Sequence, residues 1–365
     1  MKILFLIPKL NVSGGVAKII SAKANFLSKN NENNVAILTQ NKGNDPLFFD
    51  LNPNVDLFDV SLKGNFFNIL AAYKKQVESV LKVFKPDVIV IADNGLKAMF
   101  FNIIIKTAIP VVLEIHCSKI VSEKKNNTFF AKRSHQIVVK LRQLSIKYFS
   151  NIIMLSEESK KEWNLKSAKI IPNPVDQSSV HSDLSDKKII CVTRNNYEKG
   201  FDRIIPICKA INKKYPSWTF EVFCDEKGYF DILKLMKNND IRNLIIHKST
   251  KNINEYYLNS SIYISTSRFE VFPLVILEAM SFGLPVVAYN CPIGVKSILN
   301  SEFGFLIEDG NQNEFINKLE KLILDKEVRI KMGKNAQLES FKYNTEKILN
   351  DYKVYLNEIV YNELK

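Results

Sequence analysis

Short apolar runs of β-forming residues alternate with helix-patterned stretches along this chain, and the alternation runs twice. In the first half the runs are Ile3 to Pro8, Val35 to Thr39, Val55 to Val60, Val88 to Ala92, Val111 to Ile115 and Ile152 to Leu155. Helical spacing lies between them, near Val16 to Ser28, Phe66 to Phe84, Leu96 to Thr107 and Phe130 to Phe149. Such alternation argues for a parallel sheet with helices on both faces. Ile170-Ile171-Pro172-Asn173-Pro174-Val175 breaks the pattern, and the polar run at 177–188 reads as a linker. The grammar then restarts, with runs at Ile189 to Thr193, Phe220 to Cys224, Leu244 to His247, Ile262 to Thr266, Val286 to Tyr289 and Phe305 to Ile307. Two or three helices follow Asn311. A chain of 365 residues has length for two cores. The expectation is an α/β fold of two Rossmann-like parallel-sheet domains, 1–178 and 179–344, facing each other across a cleft that is the natural ligand site.

Charge narrows the partners. The net charge is +13. Residues 1–180 hold 25 Lys and Arg against 14 Asp and Glu, a balance of +11, while residues 181–365 hold 26 against 24, or +2. An excess confined to one half suggests an anionic partner for that half. It concentrates in the segment 119–169, with 12 basic residues against four glutamates. Within it Phe129, Phe130, Ile137, Val138, Leu141, Leu144, Ile146 and Phe149 interleave with Lys132, Arg133, Lys140, Arg142 and Lys147. A basic amphipathic helix of this kind suits an anionic membrane surface. It suits equally a surface helix with its apolar stripe packed inward and its lysines in solvent. No nucleic-acid module is recognisable, so no nucleic-acid partner is expected.

Cys117, Cys191, Cys208, Cys224 and Cys291 form no Cys-x-x-Cys pair, which fits a reduced, cytoplasmic setting. The apolar run after Met1 is too short for a signal peptide and reads as a buried first strand. The zone Ala98 to Ile115 is broken by Asn102, Lys106, Pro110 and Glu114, so it reads as helix, turn and strand rather than a membrane span.

The stretch 261–290 carries the most chemistry. Ile262 to Thr266 is a strand, and Ser267 to Phe272 a loop. Pro273 suits the first helical position, and Gly283 sits where that helix stops. Glu270 then lies just before a helix N-terminus, and Glu278 in the second turn. Free N–H groups and the positive end of the dipole make such a terminus an anion site. Two carboxylates flanking it would repel a phosphate in contact with them, but would serve a ligand with hydroxyls at both ends and phosphates between. A nucleotide sugar has that layout. By spacing alone each glutamate could equally be a solvated surface charge.

With its Glu-Ala-Met and Gly-x-Pro-Val-Val sequel, this stretch resembles the Glu-x7-Glu signature of retaining glycosyltransferases of the family 4 type. Val271 departs from the usual Gly. The segment Ile189 to Ile205 resembles the same family's Gly-Arg…Lys-Gly element, with Arg194, Lys199 and Gly200 in register and Thr193 in place of a Gly. Two cations on a loop after a strand could clamp a diphosphate and stabilise it as a leaving group. Ser13-Gly14-Gly15-Val16 opens a helix after the first strand and matches the family's Gly-Gly loop; alone, it is not a dinucleotide fingerprint. His116 resembles the family's cleft histidine, and Asn173 matches a motif at the interdomain crossover.

The resemblance implies the GT-B fold, with residues 345–365 forming a last helix that crosses back onto the first domain. It implies a metal-independent glycosyltransferase of hexosyl or N-acetylhexosaminyl type that retains configuration. The donor would be a nucleotide-diphosphate sugar, UDP-linked, used as co-substrate with no other cofactor. The acceptor would be a glycan or lipid-linked glycan in synthesis of a bacterial-type surface polysaccharide, lipopolysaccharide or capsule. Glu270, His116, Arg194 and Lys199 would be catalytic. Gly14, Gly15, Arg194, Lys199, Glu270, Val271, Phe272, Leu274 and Glu278 would bind the donor. No metal ligands are expected, since the chain has no Asp-x-Asp and no His/Cys cluster. The protein would be cytoplasmic and peripheral on the inner face of the plasma membrane. Two other readings stay open: a nucleotide-sugar epimerase on the same fold, and a non-catalytic glycan- or nucleotide-binding protein.

Overall fold

The structure, a computed structural model, describes residues 1–29, 32–119, 129–194, 197–237, 241 and 243–363. These divide into two compact units, 1–172 with 346–365, and 173–345.

The first unit runs β1 (Lys2–Leu6), α1 (Gly15–Leu27), β2 (Asn34–Gln40), β3 (Val55–Val60), α2 (Phe66–Phe84), β4 (Val88–Ile91), α3 (Leu96–Met99), α4 (Phe101–Ile104), β5 (Val111–Ile115), α5 (Phe129–Ser145), β6 (Asn151–Met154), α6 (Glu157–Trp163) and β7 (Lys169–Ile170). All seven strands are parallel, in the order β3-β2-β1-β4-β5-β6-β7. The strand side chains alternate between two cores. Leu4, Leu6, Ile89, Ile91 and Leu113 face α2, α3 and α4, through Tyr73, Val77, Met99 and Phe101. Ile3, Phe5, Val88, Val90 and Val112 face α1 and the chain's last helix, through Ile20, Ala24, Ile348, Tyr352 and Leu356. Helices on both faces explain why β1, β4 and β5 read as nearly continuous apolar runs rather than alternating, with Glu114 of β5 the exception.

The second unit runs β8 (Lys188–Val192), α7 (Ile204–Lys214), β9 (Thr219–Cys224), α8 (Glu226–Lys237), β10 (Leu244–Lys248), α9 (Ile253–Leu258), β11 (Ile262–Ser265), α10 (Leu274–Ser281), β12 (Val286–Asn290), β13 (Gly304–Glu308), α11 (Gln312–Leu324) and α12 (Lys326–Ser340). Its six parallel strands are ordered β10-β9-β8-β11-β12-β13. Both units therefore follow the doubly wound order 3-2-1-4-5-6, with the reversal beside the first strand. The last helix, α13 (Thr345–Glu363), starts in the second unit and completes the core of the first.

Residues 177–188 are not the free linker their polarity suggests. Ser182 donates to the Ser260 carbonyl at 2.5 Å, Leu184 is buried, and the Leu184 carbonyl accepts from Arg329 at 3.3 Å. Ser182 and Leu184 are thus anchored in the second unit, so the segment packs onto that unit, while His181, Asp183, Ser185, Asp186 and Lys187 face solvent. The expected helix Leu96 to Thr107 is two short ones, α3 and α4, joined at Phe100 (φ −101°, ψ 19°). Pro273 is the N-cap of α10, in an extended conformation, and helical geometry begins at Leu274.

Candidate active site

The order reversal in the second unit sits between β8 and β11, which pair directly. The loops leaving these two strands part there, and open sheets of this kind take ligands at that point. Lys199 lies on the loop after β8 and Glu270 on the strap between β11 and α10. They meet: Lys199 Nζ donates to Glu270 Oε1 at 2.6 Å. Ser267 Oγ donates to the same oxygen at 2.8 Å. The Glu270 side chain is 8 % exposed and that of Lys199 19 %, so the pair is largely screened from water. Arg194 is exposed on the same loop as Lys199, outside this bonded set.

Backbone and side-chain staples fix the two loops against each other. Gly200 has φ +60°, and a Cβ there would lie 2.0 Å from the Thr266 carbonyl oxygen, so only glycine fits. The Arg268 and Phe269 N–H groups donate to the Glu198 carbonyl at 2.7 and 3.2 Å. The Arg268 guanidinium forks onto Asp202, both bonds 2.7 Å, and donates to the Tyr197 carbonyl at 3.0 Å while lying over the Tyr197 ring. Those bonds hold the Asp202 carboxyl below the usual carboxylate range. From the other side the Gly294 N–H donates to the Glu270 carbonyl at 2.7 Å, and a Cβ on Gly294 would lie 2.5 Å from Val271 backbone. Spacing in the sequence did not single out Ser267, Arg268 or Gly294. The only available signal was that they flank Glu270 or close a turn.

Glu278 is 8 % exposed on α10 and accepts from the Tyr257 hydroxyl at 3.1 Å. Tyr257, on α9, is fully buried and stacked on Phe282. Burial first, and Glu278 next, raise its phenol well above the usual value, so it remains a donor. Sequence reasoning also missed Tyr257, because a tyrosine on a short helix twenty-one residues upstream gives no pattern. Phe272 and Leu274 are buried, with Phe272 packed edge-on against Tyr343, so they offer backbone rather than side chain to a ligand; Val271 is half-buried beside them.

The remaining residues expected at the site are in the first unit. Gly14 caps α1 and Gly15 begins it, after β1 and at that sheet's own reversal point. His116 follows β5, with its side chain 2 % exposed and Nε2 2.9 Å from Glu114 Oε2. Glu114 is fully buried and also accepts from Lys23 at 2.8 and 2.7 Å and from the Tyr352 hydroxyl of α13. Lys23 Nζ lies 4.1 Å from the Tyr352 ring centroid. Burial pushes the Glu114 carboxyl up, but the Lys23 charge and the His116 bond outweigh it and hold it at about 2. Burial lowers the Lys23 ammonium even against the pull of Glu114. An ionised carboxylate only accepts, so the His116 proton on this side is on Nε2.

Among the described residues no cluster of three His, Cys, Asp or Glu could hold a metal ion, and no helix is long and apolar enough to cross a membrane.

Known proteins resemble the whole chain. It is 29 % identical to an uncharacterized glycosyltransferase of Haemophilus influenzae, over 96 % of this chain and 99 % of that one. It is 24 % identical to the amylovoran biosynthesis glycosyltransferase AmsD of Erwinia amylovora, over 98 % and 99 %. The crystal structure of a Staphylococcus aureus TarM variant with fondaparinux, alpha-GlcNAc-glycerol and UDP superposes with a TM-score of 0.79 at 15 % identity, covering 98 % of this chain and 99 % of that one. The two Rossmann-like units are thus those of the GT-B fold. Residues 174–339, nearly the whole second unit, match the family model described as glycosyl transferases group 1.

Proposed function

We propose that the protein transfers a sugar from a UDP-linked or similar nucleotide-diphosphate donor to a glycan or lipid-linked acceptor in surface-polysaccharide synthesis. The observation that carries this reading is the Lys199–Glu270 pair at the β8/β11 reversal, with Glu278 eight residues on and buried beside Tyr257. Lys199 and Arg194 hold the departing diphosphate, Glu270 grips the donor sugar's hydroxyls, and Glu278 grips the ribose. The bond from the anomeric carbon to phosphate breaks as the bond to the acceptor oxygen forms, on the same face, so configuration is retained. The leaving phosphate oxygen takes the acceptor proton. Fixed cations do the work a divalent ion would otherwise do. A relative named for amylovoran biosynthesis and a fold neighbour crystallised with UDP support the substrate class. The protein works in the cytoplasm, at an anionic membrane surface.

Calorimetry with UDP tests the site. Arg194→Ala with Lys199→Ala should weaken binding by at least tenfold, since the charge-assisted contact of the screened Lys199 alone is worth about 1.5–3 kcal/mol. Unchanged binding would remove the proposed phosphate site. Turnover should persist with a chelator present, and its loss would refute metal independence. Donor consumption without a glycosidic product would favour an epimerase, and binding without turnover a non-catalytic protein.

A further inference from the structure

Two buried tyrosines lie beside the glutamates of the second unit. Tyr257 and Tyr263 are both fully buried, with ring centroids 6.2 Å apart. Helix α9 is anchored on the sheet by Tyr256, whose ring packs edge-on against Phe223 of β9 at 4.6 Å and lies tilted against His247 of β10 at 5.1 Å. The next residue, Tyr257, packs against Tyr263 of β11 and stacks on Phe282 at the end of α10, centroids 5.6 Å apart. A ring packed against both neighbours makes its hydroxyl a fixed point. That hydroxyl donates to Glu278 Oε2 at 3.1 Å. Tyr263 differs. Burial raises its phenol well above the usual value, and Glu270 and Glu278 add to that, so it feels both carboxylates. Yet its hydroxyl reaches only the Val192 carbonyl at the end of β8, at a long 3.4 Å.

We propose that Tyr257 is a positioning residue for nucleotide recognition: its hydroxyl sets the orientation in which the Glu278 carboxylate accepts the ribose hydroxyls of the donor. The inference rests on the reading that Glu278 grips the ribose. A glutamate side chain has several rotatable bonds, so an unheld carboxylate must be ordered each time a ligand binds, which costs affinity. A fixed donor at Oε2 removes that cost beforehand. It also fixes the plane of the carboxylate, so ribose hydroxyls meet its lone pairs from one direction. A deoxyribose then leaves an oriented, largely buried carboxylate short of a partner, whereas an unheld one turns to find another. Tyr257 therefore governs the preference for ribose over deoxyribose, and not only affinity for a nucleotide.

Calorimetry on the full chain with UDP, 2′-deoxy-UDP and 3′-deoxy-UDP tests it. The wild type should bind UDP about tenfold more tightly than the poorer deoxy analogue, the worth of one charge-assisted hydrogen bond. Tyr257→Phe keeps the ring and removes only the hydroxyl. It should weaken UDP several-fold and the poorer analogue hardly at all, so that the ratio falls to about threefold or less. Tyr263→Phe removes the other buried hydroxyl of the same core. As the structural control, it should keep the ratio within about twofold of the wild type, whatever its cost in stability. In a Glu278→Ala background, adding Tyr257→Phe should leave the ratio unchanged, because the group it acts through is gone. Should Tyr257→Phe fail to fold, with a carboxylate unpaired in its core, Glu278→Gln is compared with and without Tyr257→Phe, and the ratio should again be lower with Phe. A wild-type ratio kept by Tyr257→Phe, or an equal fall in Tyr263→Phe, would overturn the proposal. A wild type that bound the three nucleotides equally would overturn the ribose role of Glu278 beneath it, which is a separate failure read on the unmutated chain.

Discussion

Lys199 and Glu270 present a competition at the scale of single residues. The ammonium that is to hold a diphosphate is already engaged, at 2.6 Å, by the carboxylate that is to hold the sugar. Diphosphate must therefore draw Lys199 away from Glu270, and the sugar hydroxyls must then satisfy the carboxylate released. The two halves of the donor are coupled through this exchange. Glu270→Gln removes the competing charge while keeping a similar shape. UDP, which lacks the sugar, should bind to that variant as tightly as to the wild type or several-fold tighter. Turnover should fall by two orders of magnitude or more, because an interaction made with the reacting sugar is lost. Calorimetry and a product assay on one preparation check both halves. Weakened UDP binding would mean that Glu270 positions Lys199 rather than competing for it. The glutamates were legible in the sequence because a paired motif advertises them. Tyr257, Ser267 and Arg268 were not, since each makes its point only through a partner brought close by folding.

Element by element, the strands were the most legible part of the chain. Val55–Val60 and Val111–Ile115 fall where the apolar runs place them, and so does helix Phe66–Phe84. A long amphipathic helix leaves a 3.6-residue pattern, and a short run rich in β-branched residues between turn signals marks a strand. Elements shaped by tertiary contact did not: β7 is two residues long, and the segment 177–188 is polar yet packed. The helix α13 was expected, but the bond made from its interior was not. Its Tyr352 hydroxyl bonds to Glu114, inside a fully buried set with Lys23 and His116. Replacing Glu114 by Gln leaves the Lys23 ammonium buried without a counter-charge, at a cost of about 3–5 kcal/mol. The sign of the pH effect follows from the same carboxylate. Its folded pKa, about 2, lies below the ordinary carboxylate value, so its contribution is complete above that value and is lost as pH falls towards 2. Thermal melts between pH 6 and pH 2.5 should show the wild type losing stability steeply below about pH 4.5, and Glu114→Gln should show a shallower slope. Parallel slopes would mean that Glu114 does not govern the acid limb.

The whole molecule consists of two units, each with hydrophobic cores composed of its own residues. Each also holds one of the chain's two tryptophans, Trp163 buried in the first and Trp218 in the second. The residues assigned to UDP itself, Arg194, Lys199 and Glu278, all belong to the second unit, as does Glu270, which is assigned to the sugar. Ligand binding stabilises only what it contacts, by about 2.7 kcal/mol at a hundredfold excess over Kd. Trp163→Phe leaves fluorescence that reports residues 173–345, and Trp218→Phe leaves fluorescence that reports the first unit. In urea titrations UDP should shift the Trp218 transition by that amount and the Trp163 transition hardly at all. Leu356→Ala, which opens a cavity in the core that α13 completes, should do the reverse. It should lower the Trp163 transition by about 2–5 kcal/mol and leave the UDP shift of Trp218 intact. If UDP moved both signals equally, nucleotide contacts or unfolding would be shared by the units, and the division of the donor between nucleotide and sugar would have to be redrawn.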